Sequence, residues 1–298
     1  MTHPQRQRQR QRQRQRTETA AGPFHTLTWT GDSTPVLAIH GVSSTSRLWT
    51  WLHEAAPWAT LIAPDLPGRG LTPARRDRPS SVGAHADGLA ALLDALHLTR
   101  VDVVGMSLGG FIAVELAARH PHRVRSLTLI DGGLPVSATL PPDLLANSLR
   151  TKYDDQKVWA DAAAYAAHYA ATSAPLADAT DPRFVEMLAH DLRDGAAGGP
   201  VVRDLETVVD DGVSVLGSER PVTALAQVTA PTRLLYAEWS AGEGSAPMYA
   251  PEHVAEIAGR TPHLLHTELV ERVDHAAIIM TDRGAERCAS VLAKAVER

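Results

Sequence analysis

The 298-residue chain carries a single cysteine, Cys288. One thiol excludes an intrachain disulfide and any zinc site built on cysteines. Cys288 falls in the apolar pattern of the last helix-like segment, with no helix N-terminus to activate it, and reads as inert filler. Long apolar runs are missing too, and none approaches the roughly 20 residues of a membrane-spanning helix. No apolar h-region follows the basic N-terminus, so the sequence predicts no secretory signal, no membrane partner and a cytoplasmic location. Neither G-x-x-x-x-G-K-[ST] nor H-E-x-x-H occurs, and the expectation is no metal and no organic cofactor.

Charge is unevenly spread. From Gln5 to Arg16 the chain repeats Gln-Arg six times, and removing those arginines would move the net charge from −5 to −11. The period of two suits a strand, but neither face is apolar, so residues 1–20 are expected to form a disordered tail. The acidic remainder argues against a nucleic-acid partner. An apolar fraction of 44% is ordinary for a soluble domain of this length.

The body alternates strand-like and helix-like segments, which predicts an α/β fold with a mostly parallel sheet and helices on both faces. Phe24 to Thr30 reads as an outer strand. Pro35 to Ile39, Leu61 to Ala63, Val124 to Ile130, Thr232 to Tyr236 and Leu264 to Val270 read as further strands. A helix is expected from about Ser81 to Leu98, with Leu89, Leu92, Leu93 and Leu96 on one face, and a closing helix over Arg283 to Val296.

Between Gly133 and Pro221 the strand signals stop and helical spacing takes over. The expected organisation is a core of residues 21–133 and 222–298 with a helical cap inserted at 134–221, in place of an independent helical domain. Such a cap would roof the carboxyl ends of the strands, where open α/β sheets bind ligands. Its aromatics Tyr153, Trp159, Tyr165, Tyr169 and Phe184 suit cap core or pocket wall.

Gly105-Met106-Ser107-Leu108-Gly109 is a G-x-S-x-G string between an apolar run and a helical one. Strand, tight turn and helix would hold Ser107 on a strained corner with its hydroxyl pushed outward. The glycines leave room for that bend, since a Cβ at either would strike the adjacent strand or helix. The N–H of Leu108, opening the helix, would face negative charge growing beside the serine.

With these flanks the chain resembles the α/β-hydrolases of the single-domain, cap-bearing type, from about Phe24 onward. The resemblance rests on His40-Gly41, Asp65 to Gly70, Gly105 to Gly110 and Val273-Asp274-His275, in that order. It implies Ser107 as nucleophile, His275 as the base, and Val42 and Leu108 as the two oxyanion N–H donors. His40 is then structural. A hydroxyl needs such a base to become nucleophilic at neutral pH.

The third member departs from the commoner pattern. Most relatives carry an aspartate after the strand that follows the cap, where this chain reads Tyr236-Ala237-Glu238-Trp239-Ser240-Ala241-Gly242-Glu243. Glu238 or Glu243 could orient the imidazole from that loop. The preferred alternative is Asp131, 24 residues beyond Ser107, an arrangement similar to that of zearalenone-type lactone hydrolases and some haloalkane dehalogenases. Asp274 adjoins His275 and is set aside, because it cannot easily reach the far ring nitrogen.

A serine at the elbow excludes the family's aspartate-nucleophile dehalogenases and epoxide hydrolases. The chemistry expected is hydrolysis of a carboxylic ester or lactone through an acyl-enzyme, on a small, moderately apolar substrate. Carbon–carbon bond hydrolysis, transfer of the acyl group to another alcohol, and a non-catalytic small-molecule-binding role stay open, as does the oligomeric state.

Overall fold

The computed structural model describes residues 12–136, 141–153 and 157–296. Ten strands are present among them: β1 Arg12–Thr17, β2 Phe24–Trp29, β3 Pro35–Ile39, β4 Thr60–Pro64, β5 Val101–Met106, β6 Val124–Ile130, β7 Val158–Trp159, β8 Gly199–Pro200, β9 Thr232–Trp239 and β10 Leu264–Asp274. Eight of them form one sheet in the order β1-β2-β4-β3-β5-β6-β9-β10. β1, β2 and β4 pair antiparallel, and every pair from β4 to β10 is parallel.

Eleven α-helices accompany them among the described residues: α1 Thr50–Ala55, α2 Val82–Ala95, α3 Leu108–Arg119, α4 Pro142–Tyr153, α5 Ala162–Ser173, α6 Pro182–Ala189, α7 Leu205–Leu216, α8 Arg220–Gln227, α9 Pro251–Arg260, α10 Ala277–Met280 and α11 Asp282–Leu292. None is long and apolar enough to cross a membrane.

The alternation along each strand separates two cores. Val36, Ala38 and Val104 face one side of the sheet with Trp49, Trp51 and Ile278. Leu37, Ile39 and Val103 face the other with Leu89, Leu93 and Ile112. Successive Cβ atoms of a strand point to opposite faces, so a strand buried on both sides must be apolar throughout, as β3 is. Helix α2 starts where Ser81 accepts the N–H of Ala84 at 3.1 Å and stops before His97, whose φ is +57°. It is shorter than its leucine spacing suggests because that left-handed residue cannot continue a right-handed helix. Full burial of Leu89 and Leu93 contributes about 1.5–3 kcal/mol each.

The Gln-Arg repeat departs from expectation. Residues 12–17 are not disordered but form β1, the edge strand, with Arg14 opposite Leu27 and Thr17 opposite Phe24. An edge strand needs only a partner for its backbone, and β2 presents one; an apolar face is not required. Arginine on such an edge also discourages pairing with another chain. Arg12 reaches Glu186 at 2.9 Å, and Thr19 closes a turn by accepting the N–H of Ala21. β2 is therefore second from the edge, not outermost. Residues 1–11 of the expected tail lie outside the described residues.

The chain between β6 and β9 contains α4 to α8. It also holds one short two-stranded ladder, β7 with β8, where strand signals had been expected to stop. β6 and β9 are parallel neighbours in the sheet, so the chain leaves the carboxyl end of β6 and, with α8 packed on α3, crosses back to the amino end of β9. Cys288 is buried, its thiol donating to the carbonyl of Ile278, and burial pushes its pKa well up.

Candidate active site

The sheet order reverses at β3, from which the chain goes first to β4 on one side and then to β5 on the other. Such a switch leaves a crevice at the carboxyl ends of the strands. Four segments end there: His40 to Ser43 after β3, Ser107 after β5, Asp131 after β6 and His275 after β10.

Ser107 sits at φ +54° and ψ −122°, outside the usual regions for a residue with a side chain. Its N–H donates to Ile130 O at 3.0 Å, and its carbonyl accepts from Gly110 at 2.9 Å. The glycines around it are packing requirements. A Cβ on Gly105 would lie 2.3 Å from the carbonyl oxygen of Gly109, and one on Gly109 would lie 1.9 Å from that of Ile39. Gly132 belongs to the same set, because its Cβ would stand 2.2 Å from Ser107 O. Sequence reasoning passed over Gly132, although the Asp131-Gly132-Gly133 run was its signal.

His275 bridges two groups. Its Nε2 is 3.0 Å from Ser107 Oγ, and its Nδ1 is 2.6 Å from Asp131 Oδ2. A carboxylate oxygen accepts, so this geometry suits a proton on Nδ1 facing Asp131 and a lone pair on Nε2 facing the Ser107 hydroxyl. Asp131 is fully buried, at φ +42°, and its other oxygen accepts the N–H of Ala237 at 3.2 Å.

The other carboxylates lie elsewhere. Glu238 accepts the N–H of Arg272 at 2.6 Å, and Glu243 is exposed. Asp274 accepts from Gly242, Ala276 and Ala277, which anchors the loop carrying His275 to the start of α10. Of the acids considered from sequence, the structure brings only Asp131 to the imidazole.

His40 is buried next to the site but is occupied. Its Nδ1 donates to Gly41 O at 2.8 Å, and its Nε2 accepts the N–H of Leu66 at 2.9 Å. Burial is the main reason its pKa falls to about 4, so the ring is neutral. Asp65 also holds loops in place, accepting from Ser46, Leu71 and His190. Burial raises its pKa, but the hydrogen bond and charge of His190, with the two N–H donors, outweigh that and bring it down to about 2.

Val42 and Leu108 both line a cavity of about 410 Å³ together with Ser107 and His275. Leu108 is the first residue of α3, so its N–H has no acceptor inside the helix. The N–H of Val42 takes part in no backbone hydrogen bond among the described residues. The inserted helices supply the far wall through Leu149, Tyr153, Tyr169 and Val215. Of the five aromatics singled out from sequence, Tyr153 and Tyr169 reach the cavity. Tyr165 and Phe184 are buried, and the ring of Trp159 meets that of Tyr165 at a tilt of 36°. Among the described residues no group of three His, Cys, Asp or Glu side chains is arranged to hold a metal ion.

Residues 34–180 match the family model described as alpha/beta hydrolase fold. Lipase LipV of Mycobacterium tuberculosis is 43% identical over 96 residues, 32% of this chain and 36% of that protein. The 2-hydroxy-6-oxo-2,4-heptadienoate hydrolase of Pseudomonas putida is 38% identical over 118 residues, 38% of this chain and 42% of that protein. The chain thus spans well under half the length of the curated relatives it matches. Among solved structures, E-2-(acetamidomethylene)succinate hydrolase superposes with a TM-score of 0.79 over 95% of this chain and 98% of that one. At 20% identity that likeness concerns the fold alone.

Proposed function

The chain belongs to the α/β-hydrolase superfamily, and from that premise we propose that it is a serine hydrolase of carboxylic esters or lactones. The observation that carries this reading is His275, within hydrogen-bond distance of Ser107 on one side and Asp131 on the other. Ser107 Oγ attacks the substrate carbonyl carbon while its proton passes to His275 Nε2. Asp131 holds the imidazole in the required tautomer and stabilises the cation formed. The N–H groups of Val42 and Leu108 receive the oxyanion. Collapse of the tetrahedral intermediate expels the alkoxide, which takes the proton from Nε2. Water, deprotonated by the same nitrogen, then releases the acid and restores Ser107.

The cavity supports a small, largely apolar substrate. Its size falls at the low end of the ~300–1,000 Å³ usual for small-molecule pockets. Phe111, Val136, Leu149, Leu216, Met248 and Met280 contribute apolar surface, with the hydroxyls of Ser43 and Tyr169 among them. In this reading the insertion of α4 to α7 is a cap closing over the acyl or alcohol group.

A second reading is carbon–carbon bond hydrolysis by the same three residues. It is favoured by the relative from Pseudomonas putida, whose name describes an oxo acid without an ester. A p-nitrophenyl ester series and a lactone panel test the first reading. Wild type is expected to show a burst of p-nitrophenol followed by turnover, and Ser107→Ala neither. A folded wild type inactive on every ester and lactone would overturn ester hydrolysis, and a vinylogous diketone would then be the substrate to try.

A further inference from the structure

Three consecutive carbonyls in the segment bearing the first proposed oxyanion donor are each held by a side chain. Gly41 O accepts from His40 Nδ1 at 2.8 Å, Val42 O from Arg69 Nε at 3.0 Å, and Ser43 O from Arg203 Nη1 at 3.4 Å. A peptide is planar, so fixing a carbonyl also fixes the N–H of the next residue on the opposite side. His40 therefore sets the direction of the Val42 N–H, and Arg69 fixes the plane on the other side of Val42 Cα. Gly41 packs directly against the nucleophile: a Cβ there would lie 3.4 Å from Ser107 Cβ.

The anchors of these clamps lie in different parts of the chain. His40 is tied to the loop after β4 through Leu66 N–H. Arg69, in that loop, is fully buried; its Nη1 donates to Pro67 O at 3.0 Å and pairs at 2.7 Å with Asp211, also fully buried, on α7. Asp211 in turn accepts from Ser80 at 2.6 Å and contacts His85 at 2.9 Å. Arg203 pairs with Asp191 at 3.0 Å, and both belong to the insertion. A guanidinium is a rigid fork, so directing one edge to Asp211 constrains where Nε can point. Helix α7 also carries Gly212, Val215 and Leu216 of the cavity wall.

We propose that Arg69 is a positioning residue: its pair with Asp211 transmits the seating of α7 to the Val42–Ser43 peptide, and so holds Val42, whose N–H direction His40 sets, in place for the oxyanion when the helix closing the pocket is seated. This rests on the reading of Ser107 as nucleophile and adds to it. Substrate contacts that press α7 onto the core then favour the competent loop, and binding by the pocket wall is coupled to stabilisation of the oxyanion.

Arg69→Lys tests the coupling, because a lysine can still pair with Asp211 but carries all its donors on one nitrogen and lacks the separate Nε–H that reaches Val42 O. The readouts are kcat and KM on p-nitrophenyl butyrate, the Ki of an aryl trifluoromethyl ketone, whose adduct places an oxyanion between the donors, and the thermal midpoint. The expected result is a kcat lower by about 30-fold or more, a ketone Ki raised by a similar factor and a KM within about threefold of wild type. Ser80→Ala, which removes one donor from Asp211, should lower kcat by about threefold in the same pattern, and decides the matter if Arg69→Lys does not fold. Unchanged kcat and Ki in the folded variant, or losses confined to KM and thermal midpoint, would overturn the positioning role. If instead the ketone fails to inhibit wild type, or Ser107→Ala keeps its activity, the nucleophile assignment itself has failed.

Discussion

Asp131 Oδ2 stands 2.6 Å from His275 Nδ1, at the end of β6, one strand away from the position at which most relatives carry their acid. Asp131→Asn replaces an acceptor by a group that favours the wrong tautomer, and kcat on an activated ester is expected to fall by about 10³–10⁴-fold. Glu238→Gln and Glu243→Gln should stay within about twofold of wild type, since neither carboxylate reaches the imidazole. Steady-state assays of the three variants check this. A collapse in a glutamate variant with Asp131→Asn active would move the acid to the other loop.

Stability should respond to pH through His40. Its folded pKa of about 4 lies below the ordinary 6.5, so the unfolded chain binds a proton between those values while the folded protein does not. The contribution is fully present above pH 6.5 and declines as pH falls toward 4, by about 3 kcal/mol in total. Urea midpoints measured across this window should fall for wild type and run flatter for His40→Asn, which keeps a donor for Gly41 O. Parallel curves for the two proteins would contradict the assignment.

Two glycine substitutions should have opposite signs. Gly109→Ala places a Cβ 1.9 Å from a strand carbonyl, which forces the backbone apart; a loss of several kcal/mol or failure to fold is expected. Gly259→Ala, in α9 with open space around it, should raise stability by about 0.5–1 kcal/mol through helix propensity. Thermal melts of both proteins separate a packing requirement from a tolerated glycine.

The pocket wall should set acyl length. Val215→Trp projects a larger side chain from α7 into the cavity of about 410 Å³. Turnover of p-nitrophenyl acetate is expected to change by less than about threefold, while kcat/KM for the octanoate falls by about tenfold or more. Equal effects on both esters would show that the acyl chain lies elsewhere.

Much of the core was legible because its signals are local. Short apolar runs marked β3 to β6, and the elbow glycines marked Ser107 by the space they leave. The acid was harder: Asp131, Glu238 and Glu243 all follow predicted strands, and only the sheet order decides which strand end faces His275. The edge strand β1 was misread because its partner is a backbone, which leaves no apolar trace in the sequence. Arg69 and Asp211, 142 positions apart, meet only through the docking of α7, and no periodicity connects them. Gly132 was passed over because its role is to make room for the carbonyl of another residue.

The most direct test is reaction of the folded protein with an alkyl fluorophosphonate, followed by intact mass and peptide mapping. The account predicts one adduct per chain, on Ser107, with labelling slowed by about 10³-fold in Asp131→Asn and absent in Ser107→Ala. An adduct on another residue, or equal labelling rates in Asp131→Asn and wild type, would contradict it.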